Sequence, residues 1–368
     1  MSSKYEDELG LIVMDNCKEL GDKIDQNIMQ RRSKKDSFII PTNLVRFNNG
    51  EGKAVIEDSV RDKDLYIISD IGNHSMTYKM YGYINHMGPD EHFMDIKRVI
   101  SAVRGQADRV TVVMPLLYES RQHRRKGRES LDCALALQEL QNLGVSTIVT
   151  FDVHDPNIQN AVPTSISFEN FYPTNTILKE FIKNEEFDPE TVKFISPDTG
   201  AMDRAKYYAN MFQADVGMFH KRRDYSKIVD GKNPIVAHNY LGGNLEGETA
   251  IVVDDMIASG TSMLEVAVDL KKRGARKVFL ISTFSMFTNG LECFNKAFEE
   301  GLFEKLYSTN LTYVDKDALT KTWYEQIDCS NYASDIINTL NTSGSISELK
   351  NGKQKILTML QKKKNGEL

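Results

Sequence analysis

The stretch TAIVVDDMIASGTSM, residues 249–263, decides how the rest of the chain reads. Mostly apolar, β-prone residues end in two adjacent acids, Asp254 and Asp255. A run of small residues follows (Ala258, Ser259, Gly260, Thr261, Ser262), and then a helical pattern begins. In open α/β sheets, ligands sit at the carboxyl ends of strands. The first amides of a helix lack acceptors and favour a phosphate, and small side chains let the backbone approach it. Carboxylates beside such a loop suit sugar hydroxyls. The residues point to a ribose-phosphate site; a bare strand-to-helix turn with solvated acids is the plainer alternative. The stretch is not a Walker A loop, because the G-K-[ST] lysine is absent.

Working outward, strand and helix patterns alternate. LGLIVMD (9–15) reads as a strand and KELGDKIDQNIMQRR as the helix after it. DLYIISD (64–70), DRVTVVMP (108–115) and VSTIVTFDVH (145–154) are further β-rich runs. Between the last two, Leu131, Ala134, Leu135 and Leu140 share helical spacing, with Gly144 as a stop. The second half repeats the scheme: strands in TVKFISPD (191–198), ADVGMFH, TAIVVDD and KVFLIST, and helices in GAMDRAKYYANMFQ and MLEVAVDLKKRG. Such alternation predicts an α/β protein of mainly parallel sheets flanked by helices. Two domains are expected, residues 1–170 and 171–345. The boundary falls in FENFYPTNT, and a polar tail (346–368) frays at QKKKNGEL.

Bulk properties narrow the function classes. The chain has 368 residues, 40% hydrophobic and 27% charged, room for two soluble domains. No apolar run is long enough to span a bilayer, and the polar, acidic N-terminus is no secretory signal. Cys17, Cys133, Cys293 and Cys329 are scattered without C-x-x-C spacing, which argues against zinc or a disulfide framework and suits a reducing cytoplasm. A net charge of -6 gives no reason to expect nucleic acid. Neither a membrane nor a nucleic-acid partner is expected.

Four other strand ends carry chemistry-bearing residues. SRQHRRKGRE (120–129) places five cations within eight positions, Arg121 to Arg128, suited to a polyphosphate; a solvated charge run and nucleic-acid contact are the alternatives. In FDVHDP, Asp152 and His154 lie two apart on a strand, suited to a metal-phosphate site, and a carboxylate there suits Mg²⁺. ISPD puts Asp198 at a strand end. Lys221, Arg222 and Arg223 lead into a polar, glycine-containing stretch reaching about residue 248, read as a mobile loop able to close over phosphoryl oxygens.

Together and in order, these motifs resemble the ribose-phosphate diphosphokinases, or phosphoribosyl pyrophosphate synthetases, from about residue 46 to 283. RFNNGE resembles the family's R-F-x-D-G-E, and RQHRRKGRE its R-Q-D-R-K-x-x-x-R-E. DVHDPNIQ resembles D-L-H-x-x-x-I-Q, SPDTG resembles S-P-D-x-G, HKRR matches the catalytic-loop K-R-R, and VVDDMIASGTS resembles V-D-D-x-I-D-T-x-G-T. The resemblance implies two phosphoribosyltransferase-type domains. It implies transfer of the β,γ-pyrophosphoryl group of ATP to the 1-hydroxyl of ribose 5-phosphate, with Mg²⁺, releasing AMP. By that carry-over Asp254 and Asp255 face the ribose hydroxyls, and Ala258, Ser259, Gly260, Thr261 and Ser262 hold the 5-phosphate. His154, Asp198 and Asp152 serve the metal. Arg121 and Gln122 contact ATP, and Phe47, Asn49, Gly50 and Glu51 meet its base from a neighbouring subunit of a homo-oligomer, a hexamer or its dimer units. Lys221 and Arg223 stabilise the moving charge.

Three positions depart from the family pattern: Asn49 and His123 replace aspartates, and Ala258 replaces the third acid of D-D-x-x-D. An amide donates as well as accepts, so a relaxed nucleotide preference is expected. Two other functions compete: a non-catalytic regulatory homologue, which would have lost the loop lysine or the metal histidine, and a phosphoribosyltransferase, which would not need RQHRRKGRE or DVHDPNIQ.

Overall fold

A computed structural model describes residues 5–125, 127–223, 235–350 and 352–368, without the side chains of 221–223, 235–238, 348 and 350. The chain forms two compact units. The first holds Met1–Pro173, Asn310–Asp315 and Asp328–Asn351; the second holds Thr174–Thr309, Lys316–Ile327 and Gly352–Leu368. Beyond the crossing near residue 173, the chain thus returns twice to the first unit, which the alternation of elements does not announce.

In the first unit, strands β1 (Leu9–Val13), β4 (Asp64–Ile68), β7 (Arg109–Val113), β8 (Thr147–Phe151) and β9 (Ser167–Phe171) form one parallel sheet, in the order β1-β4-β7-β8-β9. Two hairpins accompany it: β2 (Thr42–Arg46) with β3 (Gly52–Ile56), and β5 (Thr77–Met80) with β6 (Tyr83–His86). The helices are α1 (Lys18–Arg32), α2 (Pro89–Val103) and α3 (Asp132–Asn142), joined by α8 (Ser330–Asn341) and α9 (Ser347–Lys350) from the returning segment. α2 starts at Pro89, whose missing N–H costs nothing in a first turn, while Glu91 accepts from the Gly88 N–H at 2.8 Å.

Ser167–Phe171, which reach into the boundary stretch, form edge strand β9, with Phe171 fully buried. One helical reading is corrected. In α3 the buried face is Cys133, Ala134, Ala136, Leu137 and Leu140, whereas Leu135 is 53% exposed. The returning α8 is tied down by a buried polar knot. Arg109 binds Asp64 through two nitrogens at 2.9 and 2.5 Å, and Asn341 donates to the same carboxylate at 2.8 Å. Arg32 of α1 adds bonds to Asn338 and Asn341.

The second unit has a seven-stranded sheet in the order β12-β11-β10-β13-β14-β15-β16. Its strands are β10 (Val192–Ser196), β11 (Asp215–Arg223), β12 (Ile235–Leu241), β13 (Thr249–Ile257), β14 (Lys277–Ser285), β15 (Lys305–Thr309) and β16 (Tyr324–Ile327). All neighbours run parallel except β11 with β12. The helices are α4 (Thr174–Asn184), α5 (Met202–Phe212), α6 (Thr261–Lys272), α7 (Glu292–Glu299) and α10 (Lys353–Lys364). β13 and β14 are buried along nearly their whole length and carry unbroken apolar runs (Ala250–Val253 and Val278–Ile281), as strands covered on both faces do.

The end of the chain is also corrected. Instead of fraying at QKKKNGEL, the tail continues to Lys364 as helix α10, which buries Ile356 and Leu360 and donates from Lys363 to the Ile182 carbonyl at 2.8 Å. Each such apolar burial is worth about 1.5–3 kcal/mol. Among the described residues, no helix is long and apolar enough to cross a membrane.

Candidate functional site

At the carboxyl end of β13, strand geometry makes Asp254 and Asp255 unequal. Successive side chains on a strand point to opposite faces. Asp254 keeps 25% of its side chain accessible and Asp255 only 2%. The Asp255 N–H donates to Asp254 Oδ1 at 2.9 Å. Arg204 of α5 reaches both acids, with Nη1 3.7 Å from Asp254 Oδ1 and 3.9 Å from Asp255 Oδ1. Burial and the adjacent Asp255 carboxylate push the Asp254 carboxyl well above its ordinary range; Arg204 works against this rise, and Asp198 adds to it. Asp198 follows β10 and turns into α5, its Oδ1 accepting from the Gly200 and Ala201 N–H groups at 2.8 and 3.2 Å.

The loop after β13 is fixed by one glycine. Gly260 is the N-cap of α6 with φ +80°, and a Cβ on it would lie 2.1 Å from Phe294 Cζ. Only glycine satisfies both constraints. Phe294 stacks on Trp323, with centroids 5.4 Å apart, so an aromatic floor lies under the loop. The Thr288 N–H bonds the Ala258 carbonyl at 2.9 Å and tethers the other side. The Ser259 and Thr261 hydroxyls meet at 3.2 Å, and Thr261 and Ser262 open α6, where the first helical amides point toward an anion.

In the first unit, β8 stops at Phe151, so Asp152 and His154 do not lie two apart on a strand as expected: Asp152 follows it with φ +39°, strained for a residue with a Cβ, and is buried. Its N–H bonds the Phe171 carbonyl at 2.8 Å. The His154 ring lies 5.6 Å from that of His123. His123 Nε2 is 3.0 Å from Asp155 Oδ2, and Asp155 also accepts from the Asn157 N–H at 2.9 Å. Burial acts to raise the Asp155 carboxyl, but those bonds and the nearby His123 and Arg124 outweigh it and lower it. The departure at His123 therefore has a partner. Arg121 is exposed in an irregular segment, while Gln122 donates to the Ser130 carbonyl at 2.8 Å.

Phe47, Asn49, Gly50 and Glu51 form the β2–β3 turn, where Gly50 has φ +94° and Phe47 is 46% exposed. Asn49 donates to Glu51 Oε2 at 2.8 Å and accepts from the Glu51 N–H at 3.1 Å. The amide thus ties Glu51 down, which a carboxylate could not do by donation. Arg46 anchors the hairpin on the buried Asp95 of α2 at 2.7 Å.

Lys221 and Arg223 end β11, so the strand runs past His220, where the loop was expected to start, and β12 occupies residues 235–241 of that stretch. Residues 224–234, the rest of the expected mobile loop, lie outside the described residues. Sequence reasoning missed Arg204, the aromatic floor and the His123–Asp155 pair. The single tryptophan was the one visible signal among them.

Two α/β units, one closing on an acid pair and a phosphate-sized loop at a helix N-terminus, define a phosphoribosyl-type enzyme. The profile of the N-terminal domain of ribose phosphate pyrophosphokinase matches residues 9–144, and that of the phosphoribosyl transferase domain matches residues 174–287. The chain belongs to the ribose phosphate pyrophosphokinase family and is an enzyme of that class. A ribose-phosphate pyrophosphokinase of Staphylococcus saprophyticus is 27% identical over 274 residues, 74% of this chain and 77% of the relative. Ribose-phosphate pyrophosphokinase 2 of Schizosaccharomyces pombe is 28% identical over 309 residues, 83% of this chain and 88% of the relative. The crystal structure of phosphoribosylpyrophosphate synthetase from Mycobacterium smegmatis superposes with a TM-score of 0.73 at 20% identity, covering 92% of this chain and all of that one, and supports the fold.

Proposed function

We propose that the enzyme makes 5-phosphoribosyl 1-pyrophosphate from ATP and ribose 5-phosphate. The ribose 1-hydroxyl attacks the β-phosphorus, its proton is lost, the bond from the α,β-bridging oxygen breaks, and AMP leaves. The carrying observation is the strand end at 254–262, where an accessible carboxylate stands next to a glycine-fixed loop opening a helix. Asp254, supported by Asp255, takes the sugar hydroxyls, and residues 258–262 take the 5-phosphate through backbone amides. This assignment makes the loss of the family acid at Ala258 tolerable, because the holding groups are main-chain.

Asp152 and His154 in the first unit, and Asp198 in the second, are each proposed to serve Mg²⁺. No group of three protein ligands gathers among the described residues, so the ion would be held chiefly through waters and substrate phosphates, as Mg²⁺ commonly is. The ion would supply neutralisation of phosphoryl charge. Arg121 and Gln122 bind the polyphosphate, and Phe47, Asn49, Gly50 and Glu51 bind the base, with a second copy of the chain providing that turn in a homo-oligomer. Lys221 and Arg223 stabilise charge on the transferring group; positioning and charge stabilisation are most of what such chemistry requires. The reaction would take place in the cytoplasm.

Incubation of the purified protein with ribose 5-phosphate, ATP and Mg²⁺ tests the proposal. AMP formed only when the sugar phosphate is present is the expected result. ADP would indicate an ordinary kinase, and no nucleotide product would favour a regulatory homologue.

A further inference from the structure

We propose that Arg204 is a positioning residue that holds Asp254 ready for the sugar hydroxyls; this deepens, and rests on, the ribose 5-phosphate assignment. The guanidinium is largely buried, with 9% of the side chain accessible, and it approaches both acids of the pair. Both it and the Asp255 N–H address the same oxygen, Asp254 Oδ1. The carboxylate is pinned from one side while a quarter of the side chain stays open to solvent.

Charge gives a second reason. Neighbouring carboxylates disfavour each other's ionisation, and a nearby cation offsets that. An ionised carboxylate accepts only, which suits hydroxyl donors, and charge-assisted bonds are the stronger kind. Arginine suits the place because its guanidinium is always charged, and the one nitrogen Nη1 lies 3.7 and 3.9 Å from the two acids. At 3.7 and 3.9 Å the guanidinium acts chiefly through charge and packing, and it sets the acids rather than touching the sugar.

The test compares Arg204→Met, Arg204→Gln and Arg204→Lys with the parent enzyme. Ribose 5-phosphate and ATP binding are measured separately by calorimetry, alongside thermal melting. The neutral variants are expected to weaken ribose 5-phosphate binding by about tenfold or more while leaving ATP affinity unchanged, with Lys recovering much of the loss. Equal losses for both substrates, or Met binding the sugar phosphate as well as Lys does, would overturn the role. So would a result in which only the Lys variant folds, which would make the pair a structural ion bridge. If the parent enzyme itself binds no ribose 5-phosphate, the site assignment fails. If the parent binds it and Arg204→Met binds equally well, only the role of Arg204 fails.

Discussion

The sheets of the two units end in very different ways. In the second unit, β13 closes on a tight loop whose backbone is dictated by Gly260, floored by Phe294 and Trp323 and tethered at Ala258. In the first unit, β8 closes on strained Asp152 and a histidine pair, and the cations after β7 sit in an irregular segment. A pre-set backbone cradle suits a small, rigid anion such as a sugar phosphate. Exposed arginines on irregular chain suit a longer, flexible polyphosphate. Under the proposed assignment, precision is built into the strand end that takes the sugar phosphate and adaptability into the segment that takes the nucleotide.

The comparison can be broken most severely at the charged end of β11. Lys221→Ala is expected to lower kcat by roughly 10²-fold or more with little change in KM, the signature of an interaction made mainly in the transition state. Steady-state kinetics on both substrates checks this, and a near-normal kcat would remove Lys221 from the mechanism.

Gly260→Ala tests the rigid cradle directly. The added methyl meets Phe294 at 2.1 Å and sits on a backbone at φ +80°, so a cost of about 2–4 kcal/mol is expected, within the range for strain and overpacking. Thermal melting should fall and ribose 5-phosphate binding should weaken more than ATP binding. The fluorescence of Trp323, the single tryptophan, should shift with it. An unchanged melting curve would mean the loop is not held as tightly as its geometry implies.

Asp254→Ala sharpens the division of labour. Losing one charged acceptor should cost about 1.5–3 kcal/mol, tenfold to a hundredfold in ribose 5-phosphate affinity, with ATP affinity nearly intact. Calorimetry showing the opposite pattern would move the sugar site elsewhere.

A pH effect belongs to the first unit. Asp70, at the end of β4, is buried, and burial raises its carboxyl to about 6 despite bonds from the Tyr313 N–H, the Thr312 hydroxyl and the Gly72 N–H. A carboxyl that binds its proton more tightly when folded stabilises the fold fully below its unfolded pKa. That contribution is lost as pH rises through about 6. Denaturation between pH 4 and 7 should therefore show the parent losing roughly 1–3 kcal/mol that Asp70→Asn does not lose. Parallel curves for the two proteins would exclude Asp70 as the source.

The smallest effect is expected at the β2–β3 turn proposed to meet the base. Asn49→Asp sets a carboxylate beside Glu51, whose oxygen lies 2.8 Å from the Asn49 amide. Rates with ATP, GTP and CTP are expected to differ by only a few-fold in the parent, and the variant should prefer ATP more strongly, since a carboxylate accepts only. Strict use of ATP by both would dismiss the idea of a relaxed base preference.

Much was legible from the sequence alone, because parallel sheets write themselves as apolar runs alternating with helices. β13, β14 and α6, the acid pair and the small-residue loop all stood where periodicity and residue type placed them. Local chemistry also marked Asp152, His154 and Asp198 as strand-end residues. The tertiary structure decided what lies far apart in the chain. It brought Arg204 to Asp254, Phe294 under Gly260, His123 to Asp155, and residues 328–350 back onto the first unit. It also separated the half-buried Asp254 from the buried Asp255, and Leu137 from Leu135, which look alike in sequence. The physical reason is that periodicity records which face of an element is apolar. Which distant side chain meets a given carboxylate depends on how the elements pack, and no local pattern encodes that.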